Sequence, residues 1–362
     1  MPKISRRRAC AAFAVPSAGA LALSLGLAAA GPSQALTIVP LYDTSVTSLA
    51  NAVAVQSAFN LVARDYATSF SNPATVYVNV SWGSVAGQAL PSTAVGASVD
   101  SLYGYFSYGQ VRNDLAGFSA ANPSDTALAT AMKSMSTTAP AGPSRWVIPS
   151  AEAKALGLIS PTKTGADGSI GFAGSTSGYD FNPTDGVTAG TYDFEAVAAH
   201  ELAEVLGRIS GIDSATPAWR TPFDLYRYTR AGSVSYGYND TAYFSIDGGV
   251  TDLRDFNNSS VGGDRGDWLS TPAFFDVSNA FIATGRSYAL TAVDLTALDV
   301  LGWGGKNLGG AGVSNPNGTA FSLISEDAVP EPAAWTLLIA GFGLTGATLR
   351  HRRRDLVRVR TR

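Results

Sequence analysis

The stretch FEAVAAHELAEVLG, residues 194–207, decides how the rest of the chain is interpreted. Its apolar side chains recur at the three- and four-residue spacing of an amphipathic helix, which predicts one helix with a continuous buried face. Asp193 is suited to cap the start of this helix, and Gly207 is suited to end it. The apolar face consists of Phe194, Val197, Ala198, Leu202, Val205 and Leu206.

The polar side chains of the same helix suggest metal chemistry. His200 and Glu204 are four residues apart, so they lie one turn apart on one face, with Glu201 beside them. Zinc peptidases use the pattern H-E-x-x-H, in which two histidines bind Zn²⁺ and the glutamate is the general base. Glu204 replaces the second histidine here, and Ser210 stands where the longer HExxHxxGxxH pattern has its third. Carboxylate oxygens also bind Zn²⁺, so Glu204 is a candidate ligand.

Two interpretations of this helix are open. A site with one imidazole and one or two carboxylates is more anionic than a three-histidine site, so we expect a weaker Lewis acid and a less easily ionised water. The alternative is an exposed helix face with ordinary charges. The remaining chain favours the metal site, because the only other histidine is His351, near the C-terminus.

The composition and charge of the chain indicate how large a core it can form and which partners it can bind. With 362 residues, of which 46% are hydrophobic, the chain can bury a sizeable core. Residues 36–328 carry 14 of the 25 basic and 26 of the 28 acidic side chains, a net charge of −12. This acidic region argues against nucleic-acid binding, which requires a basic surface. The single cysteine, Cys10, lies in a predicted signal sequence, so the mature protein forms no disulfide.

Both ends of the chain resemble export signals in their composition. Residues 1–35 have a basic start, an apolar run and small residues before a cleavage site expected after Ala35; a retained membrane anchor is the alternative. Residues 307–328 are a predicted flexible linker. The uncharged run of residues 333–349 is followed by an arginine cluster, which predicts a membrane span with residues 355–362 as a basic cytoplasmic tail.

Residues 36–306 are predicted to form one ectodomain of the α/β (α+β) class with a mixed sheet. We expect a long N-terminal helix over residues 45–69, the site helix, and a closing helix over residues 291–301. Strands are predicted at residues 36–40, 75–82, 145–148, 243–246 and, as an edge strand, 168–172; shorter helices are predicted around residues 108–115 and 150–156.

A Gly-rich loop, residues 263–268, contains Asp264 and Asp267. Two carboxylates in such a loop can bind Ca²⁺ through their oxygens. The alternative is a polar turn in which the aspartates cap the backbone.

The C-terminus, PEPAAWTLLIAGFGLTGATLRHRRR, resembles the PEP-CTERM sorting signal of Gram-negative bacteria. The resemblance implies export, recognition by an exosortase in the inner membrane, a transient membrane anchor, and then attachment to the cell surface or release. We place the signal at residues 329–354. Its characteristic residues are Pro330, Glu331, Pro332, Trp335, Arg352, Arg353 and Arg354.

Residues 36–305 resemble PEP-CTERM-associated metalloproteases of metzincin-like type. The resemblance is carried by YDFEAVAAHELAEVLGR, DLYRYTRAG, YFSIDGG, GDRGDWL and DLTALDVLGW. It implies a zinc-dependent hydrolase acting on a protein or peptide substrate, with His200 and Glu204 as ligands and Glu201 as general base. The third ligand is open between Asp224, the first candidate, and Asp213. The metzincin Met-turn has no counterpart, because every methionine precedes the helix.

The sequence leaves several other assignments open. Tyr226 or Tyr228 could bind the metal or the oxyanion, and Arg227 could bind the oxyanion. A catalytically inactive surface or matrix protein that keeps the peptidase scaffold is the competing function. A carbohydrate- or ice-binding module is a third class, which no regular repeat supports.

Overall fold

The computed structural model describes residues 36–212, 214–258 and 262–305. Several predicted features lie outside these residues: the ligand candidate Asp213, the signal sequence, the linker, the sorting signal with its expected membrane span, and the basic tail. In the part of the chain that is described, no helix is long and apolar enough to cross a membrane.

The described residues form a mixed α/β arrangement with several sheets. The helices are α1 Thr44–Thr47, α2 Ala52–Ser69, α3 Tyr108–Ala121, α4 Thr126–Ser134, α5 Ser150–Ala155, α6 Phe194–Val205 and α7 Ala292–Asp299. The strands are β1 Thr37–Tyr42, β2 Thr75–Trp82, β3 Ser84–Val85, β4 Gln88–Ala89, β5 Gly96–Asp100, β6 Leu102–Phe106, β7 Trp146–Pro149, β8 Gly168–Phe172, β9 Tyr179–Asp180, β10 Tyr192–Asp193, β11 Arg227–Arg230, β12 Ser233–Val234, β13 Tyr243–Phe244 and β14 Arg254–Asp255.

The main sheet has the strand order β1-β2-β8-β5. Strands β1, β2 and β8 run parallel, and β5 is antiparallel to β8. The alternation of valine with polar residues in β2 explains its place in the sheet, because Val76, Val78 and Val80 all point into the core and are fully buried. The predicted strand at residues 75–82 is therefore confirmed.

Strand β8 is not the edge strand that its sequence predicted. It lies between β2 and β5, and β5 forms that edge of the sheet. The sequence GASVD of β5 contains small and polar residues, so it lacks the apolar alternation that marks a half-buried strand. This missed strand matters for function because it passes directly beside α6.

The predicted long N-terminal helix is divided in two. Asp43 caps α1 by accepting hydrogen bonds from the backbone of Ser45 and Val46, and α1 ends at Thr47. Helix α2 begins only at Ala52, after a turn. The predicted apolar stripe of α2 is nevertheless buried; it consists of Val55, Phe59, Val62 and Tyr66.

Helix α6 packs between α2 and the main sheet. The Tyr66 hydroxyl of α2 donates to the carbonyl of Ala199 at 2.9 Å. On the sheet side, the rings of Phe172 and Phe194 lie 4.6 Å apart. A Cβ atom on Gly168 would lie only 2.7 Å from the side chain of Val205, so this glycine lets α6 approach β8 closely. These contacts fix the helix against the parallel strands.

The C-terminal half of the described chain contains a cluster of buried aromatic side chains. This cluster lies beside the small sheet β12-β11-β13-β14, and its members are Phe223, Phe244, Phe256 and Trp268. The Trp268 indole donates to Asp294 at 2.8 Å, which ties this group to α7. The start of α7 has the expected capping box between Thr291 and Asp294.

Asp125 and Asp299 form a buried acidic pair where α4 begins and α7 ends. Burial, and then the charge of Asp125, raise the pKa of Asp299 to about 7. The folded protein thus binds this proton more tightly than the unfolded chain, whose aspartates have a pKa of about 3.9. The stabilising contribution is present at low pH and is lost as pH rises from about 4 to about 7.

Replacing Asp299 with Asn should therefore stabilise the protein more at pH 8 than at pH 5, relative to the wild type. Urea unfolding of both proteins at the two pH values measures the difference. Asp125→Asn is the matched variant, because it removes the other member of the pair. An Asp299→Asn effect of equal size at both pH values would contradict the raised pKa of Asp299.

Candidate metal centre

Helix α6 carries His200 with its ring orientation fixed. The Nδ1 atom lies 2.9 Å from the carbonyl oxygen of Val277. A carbonyl can only accept a hydrogen bond, so Nδ1 carries a proton, and in the neutral imidazole Nε2 then keeps a free lone pair. This is the arrangement by which protein histidines present Nε2 to a metal ion.

Two carboxylates converge on Nε2 of His200. Oε1 of Glu204, one helical turn away, lies at 3.7 Å, and Oδ1 of Asp267 lies at 3.5 Å. The ligand atoms of these three residues all lie within 4.8 Å of one another, and no other such group occurs in the described ranges. The three side chains are partly to largely buried, so an ion bound here would be shielded from bulk water.

The donor set and its spacing fit Zn²⁺. Zinc in proteins is tetrahedral with nitrogen and oxygen ligands at about 2.0–2.2 Å, which places neighbouring ligand atoms about 3.4 Å apart. The separations of 3.5 and 3.7 Å from His200 Nε2 are close to that value. One imidazole and two carboxylates leave a fourth position for water or substrate.

Hydrogen bonds outside the three residues hold both carboxylates in place. Ser98 of β5 donates to Oε2 of Glu204 at 2.7 Å, which leaves Oε1 directed at His200. Arg208, just after α6, donates to Oδ1 of Asp267 at 3.0 Å and to the carbonyl of Gly266 at 2.7 Å. Arg208 is fully buried, so it also offsets part of the negative charge of the cluster.

Glu201 lies beside this cluster and lines, together with His200, a cleft of about 260 Å³. A Cβ atom on Gly96 of β5 would lie 2.6 Å from Oε1 of Glu201, so the missing side chain makes room for the carboxylate. Burial raises the pKa of Glu201 well above its ordinary value, and the charges of Glu204 and Asp267 raise it further. A carboxylate with a raised pKa is a stronger base, as general-base catalysis requires.

The acidic groups around the cluster outnumber the basic ones. Desolvation of its carboxyl group, followed by the charges of Asp267 and Glu204, raises the pKa of Asp264, although the residue as a whole is exposed. Burial, followed by the charges of Glu204 and Asp264, also raises the pKa of Asp100. Mutual repulsion of this kind favours a bound cation, which would stabilise the ionised carboxylates.

The structure does not bring Asp224 into the cluster. Both of its carboxylate oxygens accept hydrogen bonds within its own loop, from Ser210 at 2.6 Å, Gly211 at 3.0 Å and Thr221 at 2.9 Å. Asp224 is completely buried and serves to fold the chain after α6. The structure thus places Asp224 apart from His200 and Glu204, and Asp267 is the residue that lies beside them as a candidate third ligand.

The DLYRY side chains proposed to bind the metal or the oxyanion have structural partners instead. The Tyr226 hydroxyl donates to the carbonyl of Val300 at 2.6 Å, and Arg227 donates to the carbonyl of Arg265 at 2.5 Å while lying over the ring of Phe256. Tyr228 is buried in the core.

The 263–268 loop shows the polar turn that its sequence allowed and one contact that its sequence did not indicate. Asp264 accepts a hydrogen bond from the backbone of Gly266 at 2.8 Å, as a polar turn would. Asp267 turns instead toward His200. A Ca²⁺ ion bound by the two aspartates stays a prediction. The pairing of Asp267 with His200 was missed, because the residues are separated by more than sixty positions and no local pattern links them.

The model of the PEP-CTERM protein-sorting motif matches residues 328–354. The match confirms the C-terminal sorting signal, and the motif implies export and recognition by an exosortase. No curated protein and no solved structure matches the chain. The resemblance of residues 36–305 to metzincin-like proteases stays a prediction.

Proposed function

We propose that the ectodomain is an exported metal-dependent endopeptidase. The observation that carries this proposal is the convergence of His200, Glu204 and Asp267 within 4.8 Å of one another, with Glu201 beside them in a cleft. A structural ion site would not need an additional buried carboxylate facing the cleft. The metzincin-like resemblance, including Zn²⁺ as the expected metal, is consistent with this arrangement.

The residues have distinct roles in the proposed reaction. Zn²⁺, when bound, polarises the scissile carbonyl and acidifies water. His200, Glu204 and Asp267 hold the ion, and Val277 keeps the histidine in the required tautomer. Glu201 accepts the proton of the attacking water and passes it to the leaving amine. The anionic ligand set weakens the Lewis acid, which increases the dependence of the reaction on Glu201.

Strand β5 is suited to align a peptide substrate. It pairs with β8 on one side and is the outer strand of its sheet in the described part of the chain. Gly96 and Ser98 of this strand contact Glu201 and Glu204, so the strand runs along the cleft. An exposed strand edge binds extended peptides through backbone hydrogen bonds, independently of side-chain sequence.

The sorting motif gives the proposed enzyme its location. Export places the ectodomain beyond the inner membrane, where the C-terminal segment anchors it until an exosortase acts on the motif. The processed protein then stays on the cell surface or is released. Its substrates are accordingly proteins or peptides of the envelope or the surroundings.

Metal content tests the proposal directly. We expect about one zinc ion per chain in the purified protein and loss of that ion in His200→Ala, measured by mass spectrometry after zinc loading. The imidazole is the only nitrogen ligand, and its removal leaves two carboxylates that bind zinc weakly. Absence of bound transition metal in the wild type would instead favour an inactive surface protein with a peptidase scaffold.

A further inference from the structure

A second cavity, of about 290 Å³, adjoins the metal cleft. The two cavities share Ala196 of α6 and Val277 as lining residues. Val277 is also the residue whose carbonyl holds His200. A substrate bound at the metal centre could therefore extend one side chain into this second cavity.

Among the described residues, three carboxylates and no basic side chain line the second cavity. Asp65 comes from α2, while Asp193 and Glu195 come from the start of α6. Asp193 is committed to structure, because it accepts hydrogen bonds from the backbone of Ala196 at 3.1 Å and of Tyr288 at 3.2 Å. Asp65 and Glu195 remain to interact with a ligand.

Glu195 is the strongest indication of a missing partner. The residue lines the cavity and is only 6% exposed, and its Oε2 atom has no hydrogen-bond partner among the described residues. A buried carboxylate without a partner is costly, and a positively charged donor would remove that cost. Burial and the neighbouring charges of Asp193 and Asp65 raise its pKa to about 7, as expected where a cationic partner is lacking.

The remaining lining favours an organic cation over a metal ion. Within the described ranges, the acids of this cavity do not form a group whose ligand atoms lie within 4.8 Å of one another, as a single ion requires. Apolar walls from Val62, Ala199 and Leu290 suit the aliphatic part of a long basic side chain. The volume is slightly below the roughly 300–1,000 Å³ of sites for drug-sized ligands, which fits one side chain.

We infer that this cavity, the acidic pocket, binds the arginine or lysine side chain of a peptide held at the metal centre. Guanidinium or ammonium N–H groups would donate to Glu195 and Asp65 while the aliphatic stem packs on the apolar walls. The assignment of the side chain to a substrate rests on the proposed peptidase function. The binding of the cation itself does not.

A binding measurement tests whether the pocket binds a cation, independently of peptide hydrolysis. The full-length chain, purified in detergent, is titrated by calorimetry with Nα-acetyl-arginine amide and with Nα-acetyl-citrulline amide, which has nearly the same shape and no charge. We expect the arginine compound to bind about tenfold tighter or more, because its hydrogen bonds are charge-assisted. Equal affinity for the two compounds would overturn the inference.

Variants locate the binding site. Glu195→Gln should weaken binding of the arginine compound about tenfold, and Asp65→Asn should weaken it in the same direction. Asp185→Asn is the matched control, because this exposed acid lies near the pocket in sequence but does not line it. Unchanged binding in folded Glu195→Gln and Asp65→Asn would place the cation elsewhere and overturn the inference. Because Asp65 is less buried, its variant preserves the test if Glu195→Gln fails to fold.

Two further measurements distinguish failure of the inference from failure of the proposed function. The same titration in His200→Ala should give wild-type affinity for the arginine compound, whether or not the wild type hydrolyses peptides. In the active protein, peptides that differ only by arginine or citrulline at one position should differ in kcat/KM, and Glu195→Gln should remove that difference. Equal kcat/KM for the two peptides at every position would show that the pocket binds a separate organic cation instead of a substrate side chain.

Discussion

Replacing Glu201 with Gln should abolish peptide hydrolysis while zinc content stays at the wild-type level. Gln has almost the same shape and fits the space that Gly96 leaves, so the cleft keeps its form. It cannot accept the proton of the attacking water. Loss of a general base typically reduces the rate by about 10²–10⁴-fold, and the weak Lewis acid expected here favours the upper part of that range. Peptide cleavage and metal content, measured on the same preparation, check both parts.

Glu152→Gln is the matched control for this change. Glu152 lies on α5, is completely buried, and has its pKa raised well above the ordinary value by burial and the charge of Asp100. Its replacement is thus another Glu-to-Gln change at a buried carboxyl group with a raised pKa, but outside the cleft. We expect hydrolysis close to wild type in this control. Hydrolysis retained in Glu201→Gln would rule out Glu201 as the base.

The second prediction with a large expected effect concerns Asp267, the proposed third ligand. Asp267→Asn should reduce zinc affinity by more than the roughly 10–100-fold that accompanies loss of a supporting residue around a metal. The cause is loss of an anionic oxygen 3.5 Å from His200 Nε2. Titration with zinc in competition with a chelator, at a temperature where the variant is folded, measures the affinity.

Asp224→Asn provides the contrast for Asp267→Asn. The carboxylate oxygens of Asp224 accept hydrogen bonds from its own loop. The variant should therefore lower the thermal unfolding temperature and leave the zinc stoichiometry intact. The opposite pattern, with zinc lost in Asp224→Asn and kept in Asp267→Asn, would restore the assignment made from sequence.

The site helix could be predicted from the sequence because its signals are local. The Asp193 cap, the apolar face and the relation of His200 to Glu204 all depend on residues within one or two turns. Strand β2 was predictable for the same reason, since alternation of valine with polar residues sets its buried face within eight residues. Local periodicity therefore identified two of the elements that position the site.

The features that the sequence did not reveal depend on contacts between distant segments. Asp267 reaches His200 because Arg208 holds its loop against the end of α6. Ser98 and Gly96 reach the glutamates because β5 pairs with β8, and nothing in the sequence of β5 marks it as a strand. Asp224 was predicted as third ligand from its place in a well-marked stretch, but its carboxylate accepts hydrogen bonds from Ser210, Gly211 and Thr221 and does not join the cluster.

The contacts of Arg208 also bear on the order in which the chain folds and binds an ion. They join the end of α6 to the 264–267 loop through protein atoms alone, so His200, Glu204 and Asp267 are brought together by folding itself. An ion that binds at the proposed site then meets ligands that protein contacts already hold in position. The proposed ion is therefore not needed to bring the three residues together, and an exported chain built in this way can fold before it binds metal.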